Sequence, residues 1–169
     1  MEKRWVIKDA DEDKVNSLQQ DLKVHPVVCK LLVQRGIYTY EAARKFFRPV
    51  LTDLYDPFLM KDMQKAIDRI NIAIANNERI LIYGDYDVDG TTSVALAYSF
   101  FYSIYKNIDY YIPDRYLEGY GISIKGIDHA KQTECSLVIA LDCGIKAVDK
   151  IAYANTLGVD FIICDHHIP

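Results

Sequence analysis

Four short apolar runs, at residues 80–83, 108–112, 137–141 and 161–164, are separated by stretches with room for one helix each. The runs are rich in Ile, Val and Tyr and have the length and continuity of strands buried on both faces. The stretches between them, 92–105, 123–132 and 145–157, carry helical character. Strand, helix, strand at this spacing predicts an α/β fold with a parallel sheet and right-handed crossovers, flanked by helices. One more helix precedes the first run, because Met63, Ala66, Ile67, Ile70 and Ile74 form an amphipathic stripe. Upstream of residue 60 the signals are helical only. His25-Pro26 opens one helix and Arg35-Gly36 closes it, while Thr39 caps another that ends at Pro49. This divides the chain into a helical N-terminal region, 1–60, and an α/β region, 61–169. The two short helices allow a helix-turn-helix or a small packing subdomain, and the absence of a basic recognition face favours the latter.

In parallel α/β sheets the chemistry sits beyond the carboxyl ends of the strands. Three of the four runs end in acids. The first leads into Gly84-Asp85-Tyr86-Asp87-Val88-Asp89-Gly90-Thr91, the third into Asp142-Cys143-Gly144, and the fourth into Asp165-His166-His167. Carboxylates converging from separate strand ends repel one another unless a cation lies between them. Oxygen ligands with one or two imidazoles suit manganese or magnesium ahead of zinc. The alternative is that each Asp merely caps the helix after it.

Local patterns overlap the first cluster. Asp85, Asp87, Asp89 and Gly90 match the opening of an EF-hand loop, but Leu96 stands where that loop needs its bidentate Glu, and a strand precedes it. No Lys precedes Thr91, so this is not a P-loop. Asp87-Val88-Asp89-Gly90-Thr91 also looks like the nucleophile motif of haloacid-dehalogenase-type phosphatases, a reading that leaves Asp142 and the histidine pair without a role.

Charge and cysteine usage bound the setting. Twenty Lys and Arg against twenty-four Asp and Glu give a net charge of −4, so contact with nucleic acid must be local rather than a matter of bulk attraction. The four cysteines, Cys29, Cys135, Cys143 and Cys164, show no C-x-x-C pairing and are expected as reduced, buried thiols. No apolar h-region follows Met1, and no run approaches the roughly 18 residues of a membrane span, so a cytoplasmic protein with no membrane partner is expected. An apolar run followed at once by Asp165-His166-His167-Ile168-Pro169 suggests a piece of a longer protein.

Taken in order, Asp-Tyr-Asp-Val-Asp-Gly, Asp-Cys-Gly and Asp-His-His resemble motifs I, II and III of the DHH phosphoesterase family. Within it, residues 83–90 are similar to the RecJ-type single-stranded-DNA-specific exonucleases. Residues 32–37, 46–49, 113–115 and 118–121 extend that likeness over nearly the whole chain. The resemblance implies a Rossmann-like sheet forming the first part of a DHH domain, with a fourth acidic motif and a closing domain beyond Pro169. It implies 5′→3′ removal of nucleotides from single-stranded DNA in recombination and repair. Relatives acting on short oligonucleotides or cyclic dinucleotides remain the alternative, with the phosphatase behind them.

The resemblance also implies site roles. Two Mn²⁺ or Mg²⁺ ions would be held by Asp87, Asp89, Asp142 and His166, with Asp142 between them. His167 and Asp85 would be the catalytic groups: His167 beside the scissile phosphate as acid or charge stabiliser, Asp85 orienting the ligands together with Asp165. Gly90 is expected to let the chain curl, opening a helix at Thr91 and Thr92 whose free amides meet a phosphate. In the loop at 113–121, Arg115 would clamp a phosphate and Tyr120 could stack a base, or Arg115 could simply pair with Glu118 at the surface. Most of the thirteen tyrosines are expected in the core. The chain ending at Pro169 is expected to fold, to bind a cation weakly, and to digest no DNA alone.

Overall fold

The computed structural model describes residues 4–169, which separate into one unit up to Leu59 and another from Met60 to Pro169. The first unit is helical. Helix α1 (Glu12–Leu22) packs on α2 (Pro26–Val33) and α3 (Tyr40–Phe47), burying Val15, Leu18, Cys29, Leu32 and Ala43 together. Asp11 caps α1 through the amides of Asp13 and Lys14, His25 caps α2, and Thr39 caps α3. Gly36 takes φ +79°, a left-handed turn that ends the second helix. Helix α1 is an addition to the expected elements, since no apolar stripe of comparable clarity marks it.

The second unit starts with α4 (Met63–Ala75) and continues β1 (Arg79–Gly84), α5 (Val88–Ile104), β2 (Ile108–Tyr111), α6 (Ile124–Gln132), β3 (Cys135–Leu141), α7 (Val148–Thr156) and β4 (Asp160–Cys164). All pairings are parallel, and the strand order is β2-β1-β3-β4. Period-two alternation divides the core between the two faces. Ile80, Ile82, Leu137 and Ile139 meet Val94 of α5 and Ala73 of α4, whereas Leu81, Tyr83, Val138 and Ala140 meet Ile127 of α6 and Ala154 of α7. Because β2 and β3 lie on opposite sides of β1, the order reverses there. The crevice beyond the carboxyl ends of β1 and β3 is therefore a topological switch point.

Several expectations are corrected. Only β1 and β3 are buried on both faces; β2 and β4 are sheet edges, so their outer positions stay partly open. For the same reason Cys164, on the edge strand β4, is exposed, while the other three thiols are buried. Only Tyr83 and Tyr105 of the tyrosines are buried; the others keep ring or hydroxyl at the surface. Helix α5 begins at Val88 with Asp87 as its N-cap, not at Thr91. Among the described residues, no helix is long and apolar enough to cross a membrane.

Candidate metal centre

Three chain segments leave the carboxyl edge of the sheet at the switch point. After β1 the chain must turn at once into α5, and two glycines allow the close fit. A Cβ on Gly90 would lie 2.5 Å from the Asp85 carbonyl oxygen, and one on Gly84 would lie 2.8 Å from the Gly90 carbonyl oxygen. Gly90 is thus needed for backbone contact inside the first turn of α5. It allows the turn through this close fit and not through a left-handed φ. The amide of Thr91 bonds to the Asp87 carbonyl, and the Thr91 and Thr92 hydroxyls donate to the carbonyls of Asp87 and Val88. The Thr91 amide is therefore not a free phosphate donor, because the helix starts earlier than the threonines suggest.

The first acid, Asp85, is fully buried. Its two oxygens accept from the amides of Tyr86 (2.6 Å) and Gly121 (2.7 Å), tying the end of β1 to the loop 113–121. Burial pushes its carboxyl up, the two amide bonds pull the other way, and the charges of Asp87 and Asp142 add to the rise. A carboxylate so placed holds the end of β1 and the loop 113–121 in position.

Asp87 accepts from the Gly90 amide at 2.8 Å and from the Tyr120 hydroxyl at 2.9 Å. Those two bonds hold its carboxyl below the usual range, with a smaller contribution from the charge of His167. The same bond, and the surrounding carboxylates, push the Tyr120 phenol up. Tyr120 thus meets an acid of the cluster through its hydroxyl, and its ring stands edge-on to Tyr86, 5.7 Å away. Asp89 stands exposed on the first turn of α5.

Beyond β3, Asp142 adopts φ +60°, a left-handed conformation that Asp tolerates, and its amide donates to the Cys164 carbonyl at 2.8 Å. This turns its carboxylate toward the end of β4, where His166 Nε2 lies 3.2 Å from Asp142 Oδ1. Ligand atoms of Asp142, His166 and His167 all lie within 4.8 Å of one another. Asp165 accepts from the Ile145 amide through one oxygen and from the His167 amide and ring Nδ1 (2.7 Å) through the other. Burial pushes the Asp165 carboxyl up, but these three bonds outweigh it and leave it below its ordinary value. The same pairing pushes the His167 imidazole up. A carboxylate on one ring nitrogen, leaving the other to face outward, is the arrangement that orients a metal-ligating histidine.

The structure therefore groups Asp142 and His166 as expected and adds His167, while Asp87 and Asp89 lie outside that group. Asp87 is bound instead to the Gly90 amide and the Tyr120 hydroxyl. One carboxylate and two imidazoles are a donor set that fits a divalent ion. Mutual fields extend through the whole cluster: Asp85, Asp87 and Asp142 all act on Tyr120 and on the buried Cys143 thiol, which burial pushes up to about 12.

In the loop 113–121, Arg115 lies over the Tyr86 ring, 4.6 Å from its centroid, and does not pair with Glu118. Glu118 is instead an anchor that sequence reasoning missed. Its nearly buried carboxylate accepts from the Asp114 amide and from the hydroxyls of Tyr111 and Ser123. Tyr83 completes the seam, donating to the Gly121 carbonyl and accepting from the Ser123 amide. The sequence marked Glu118 only as an acid among turn-forming residues, in the stretch 118–121 that carries part of the family likeness.

Comparison with known proteins agrees with this geometry. Residues 79–169 match the family described as DHH family, N-terminal domain. The chain is 46% identical, over 98% of its length, to the single-stranded-DNA-specific exonuclease RecJ of Bacillus subtilis strain 168, of which it covers 21%. Among solved structures, it resembles an exonuclease RecJ bound to manganese, with TM-score 0.60 and 29% identity over 65% of this chain and 28% of that one. It also shares the fold of RecJ from Thermus thermophilus in complex with Mn²⁺, with TM-score 0.67 and 22% identity over 94% of this chain and 22% of that one. The chain thus spans between about a fifth and just over a quarter of the length of these proteins.

Proposed function

Because the chain belongs to the DHH family, we propose that it is the metal-binding part of a single-stranded-DNA-specific exonuclease, a phosphodiester hydrolase acting in the cytoplasm. The observation that carries this reading is the Asp142, His166 and His167 group at the switch point, facing the acids that follow β1. Mn²⁺ or Mg²⁺ are the ions it would take, in line with the manganese named for a structural relative. Asp142, His166 and His167 would hold one ion, and Asp87, by turning from Gly90 and Tyr120, would complete a two-ion site with the exposed Asp89. Bound there, such ions supply charge stabilisation for an in-line phosphodiester displacement.

The chain's own residues have distinct duties. Asp165 fixes the His167 ring, and Asp85 fixes the loop that carries Tyr120. Tyr120 restrains Asp87, and Arg115 on Tyr86 presents a cation and an aromatic face to a single strand. His167, its ring fixed by Asp165 through Nδ1, would present its other nitrogen to the ion.

The test has two arms. Calorimetric titration of this chain with Mn²⁺ should show binding that Asp142→Ala and His166→Ala each weaken at least tenfold. In a chain extended to the length of the matched relatives, the same substitutions should abolish Mn²⁺-dependent release of nucleotides from single-stranded DNA. Retained digestion in either variant would overturn the reading.

A further inference from the structure

A cleft of about 560 Å³ lies along α6 beside the end of β2, within the size range of small-molecule sites. One wall is a single face of the helix, where Ile124, Lys125, Asp128, His129 and Gln132 recur at helical spacing. The other wall is Tyr111, the last residue of β2. None of the six belongs to the Asp142, His166 and His167 group. A series of rings leads from the core to this cleft. Tyr83, buried in β1, stacks on Tyr111 with centroids 5.5 Å apart, and Tyr111 meets the His129 ring at 4.9 Å. The Tyr111 hydroxyl donates to Glu118, so the His129–Tyr111 pair is a platform anchored in the core.

The polar groups around that platform suit a nucleotide. An aromatic base laid on it adds one ring to the series, and stacking of this kind accepts any base. Gln132, three residues after His129 and exposed, offers both a donor and an acceptor to a base edge. Lys125, one helical turn before His129, has a side chain 64% exposed and is only loosely paired with Glu118 at 3.8 Å, so it can offer a cation to a phosphate. The acid of the helix wall, Asp128, is held by the Tyr153 hydroxyl of α7 at 2.8 Å. A free phosphate would leave the platform bare, and a nucleoside would leave Lys125 unused. Base and phosphate together use both.

We propose that this cleft is a second nucleotide-binding site, separate from the metal centre. The base lies on His129 and Tyr111, its edge meets Gln132, and the phosphate lies toward Lys125. The ligand is a nucleotide, either free or as one unit of a strand. Its binding needs no cation and no hydrolysis, so the proposal stands apart from the exonuclease reading.

The experiment is an amide-shift NMR titration of this chain in the presence of chelator, which keeps the metal centre out of the measurement. The probes are 2′-deoxyadenosine 5′-monophosphate, 2′-deoxyadenosine, inorganic phosphate and a twelve-residue oligodeoxyadenylate. The monophosphate should shift amides of residues 124–132 and bind at least tenfold more tightly than the nucleoside or phosphate alone. His129→Ala should weaken it about tenfold or more, and His129→Phe, which keeps a ring, should restore most of that loss. Lys125→Glu should weaken the monophosphate about tenfold and leave 2′-deoxyadenosine unchanged. Lys125 is exposed, so that variant does not depend on repacking around Tyr111. Oligomer binding at least tenfold tighter than the monophosphate, at the same amides, supports the site and assigns it to a strand; equal binding supports it and assigns it to the free nucleotide. Absence of shifts at 124–132, inorganic phosphate binding as tightly as the monophosphate, or unchanged affinity in both His129→Ala and Lys125→Glu would overturn the proposal. Mn²⁺ binding by the Asp142 group, measured without chelator, should be the same in both variants, so failure of this site and failure of the metal reading are separately visible.

Discussion

Glu118 shows how much one side chain can organise. Its carboxylate joins the Asp114 amide, the Tyr111 and Ser123 hydroxyls and, at 3.8 Å, Lys125. Removing it in Glu118→Ala strands several partners, and we expect a loss of about 2–3 kcal/mol in urea unfolding, given about 1–3 kcal/mol for each buried group left unsatisfied. Burial works to raise this carboxyl, but the hydrogen bonds win and its pKa lies below the ordinary 4.5. A depressed carboxyl contributes stability that is present above its unfolded pKa and lost as pH falls through the folded one. Acid should therefore loosen the loop 113–121 below about pH 4.5, and Glu118→Gln should flatten that limb of the stability profile. At Asp87 the corresponding test is spectroscopic. Tyr120→Phe removes one of its two main hydrogen bonds, so its carboxyl should titrate closer to the ordinary value in carbon-detected NMR. An unmoved Asp87 would show that the Gly90 amide alone sets it. The acids themselves were legible in the sequence because chemistry-bearing residues stood at the ends of apolar runs. Which of them share a donor group was not, since that depends on the left-handed turn at Asp142 and on hydrogen bonds from Tyr120 and Gly121.

At the scale of elements, β1 and β3 were legible as short apolar runs of strand length set between helical stretches. The edge strands looked the same in sequence, and nothing in Ile108–Tyr111 or Asp160–Cys164 says which neighbour is missing. The start of α5 was misplaced for a related reason. Thr91 and Thr92 are good capping residues, but the cap is taken by Asp87, and the threonine hydroxyls bond back along the helix instead. The fit of α5 onto β1 through Gly84 and Gly90 leaves no room for a methyl group against backbone atoms. Gly90→Ala should accordingly cost about 1–3 kcal/mol, the usual range for overpacking, measured as a lower urea midpoint at unchanged slope. Stability equal to the parent would mean that the helix can slide away from the strand.

For the whole molecule, the metal reading makes a thermodynamic demand. Carboxylates and imidazoles that repel or compete in the free chain gain a common partner when an ion binds only the folded state. Mn²⁺ at a hundred times its dissociation constant should then stabilise the chain by about 2.7 kcal/mol, seen as a higher melting temperature that chelator reverses. Asp142→Asn, which keeps a side chain at ease in the left-handed turn, should remove the increment while leaving the ion-free melt near its original place. The strand order β2-β1-β3-β4 has one more consequence, for the order of events as the chain folds. The flank of β1 next to β3 stays open until residues 135–141 arrive, long after its own helix and β2 are available. During that interval the row Ile80, Leu81, Ile82 and Tyr83, buried to 1% exposure or less in the finished sheet, is an unpaired apolar edge. Distant parallel pairings form slowly, so refolding should be slow and increasingly prone to aggregation as protein concentration rises. Only when β3 and then β4 dock are Asp142 and His166 brought together, which makes cation capture a report that assembly is complete.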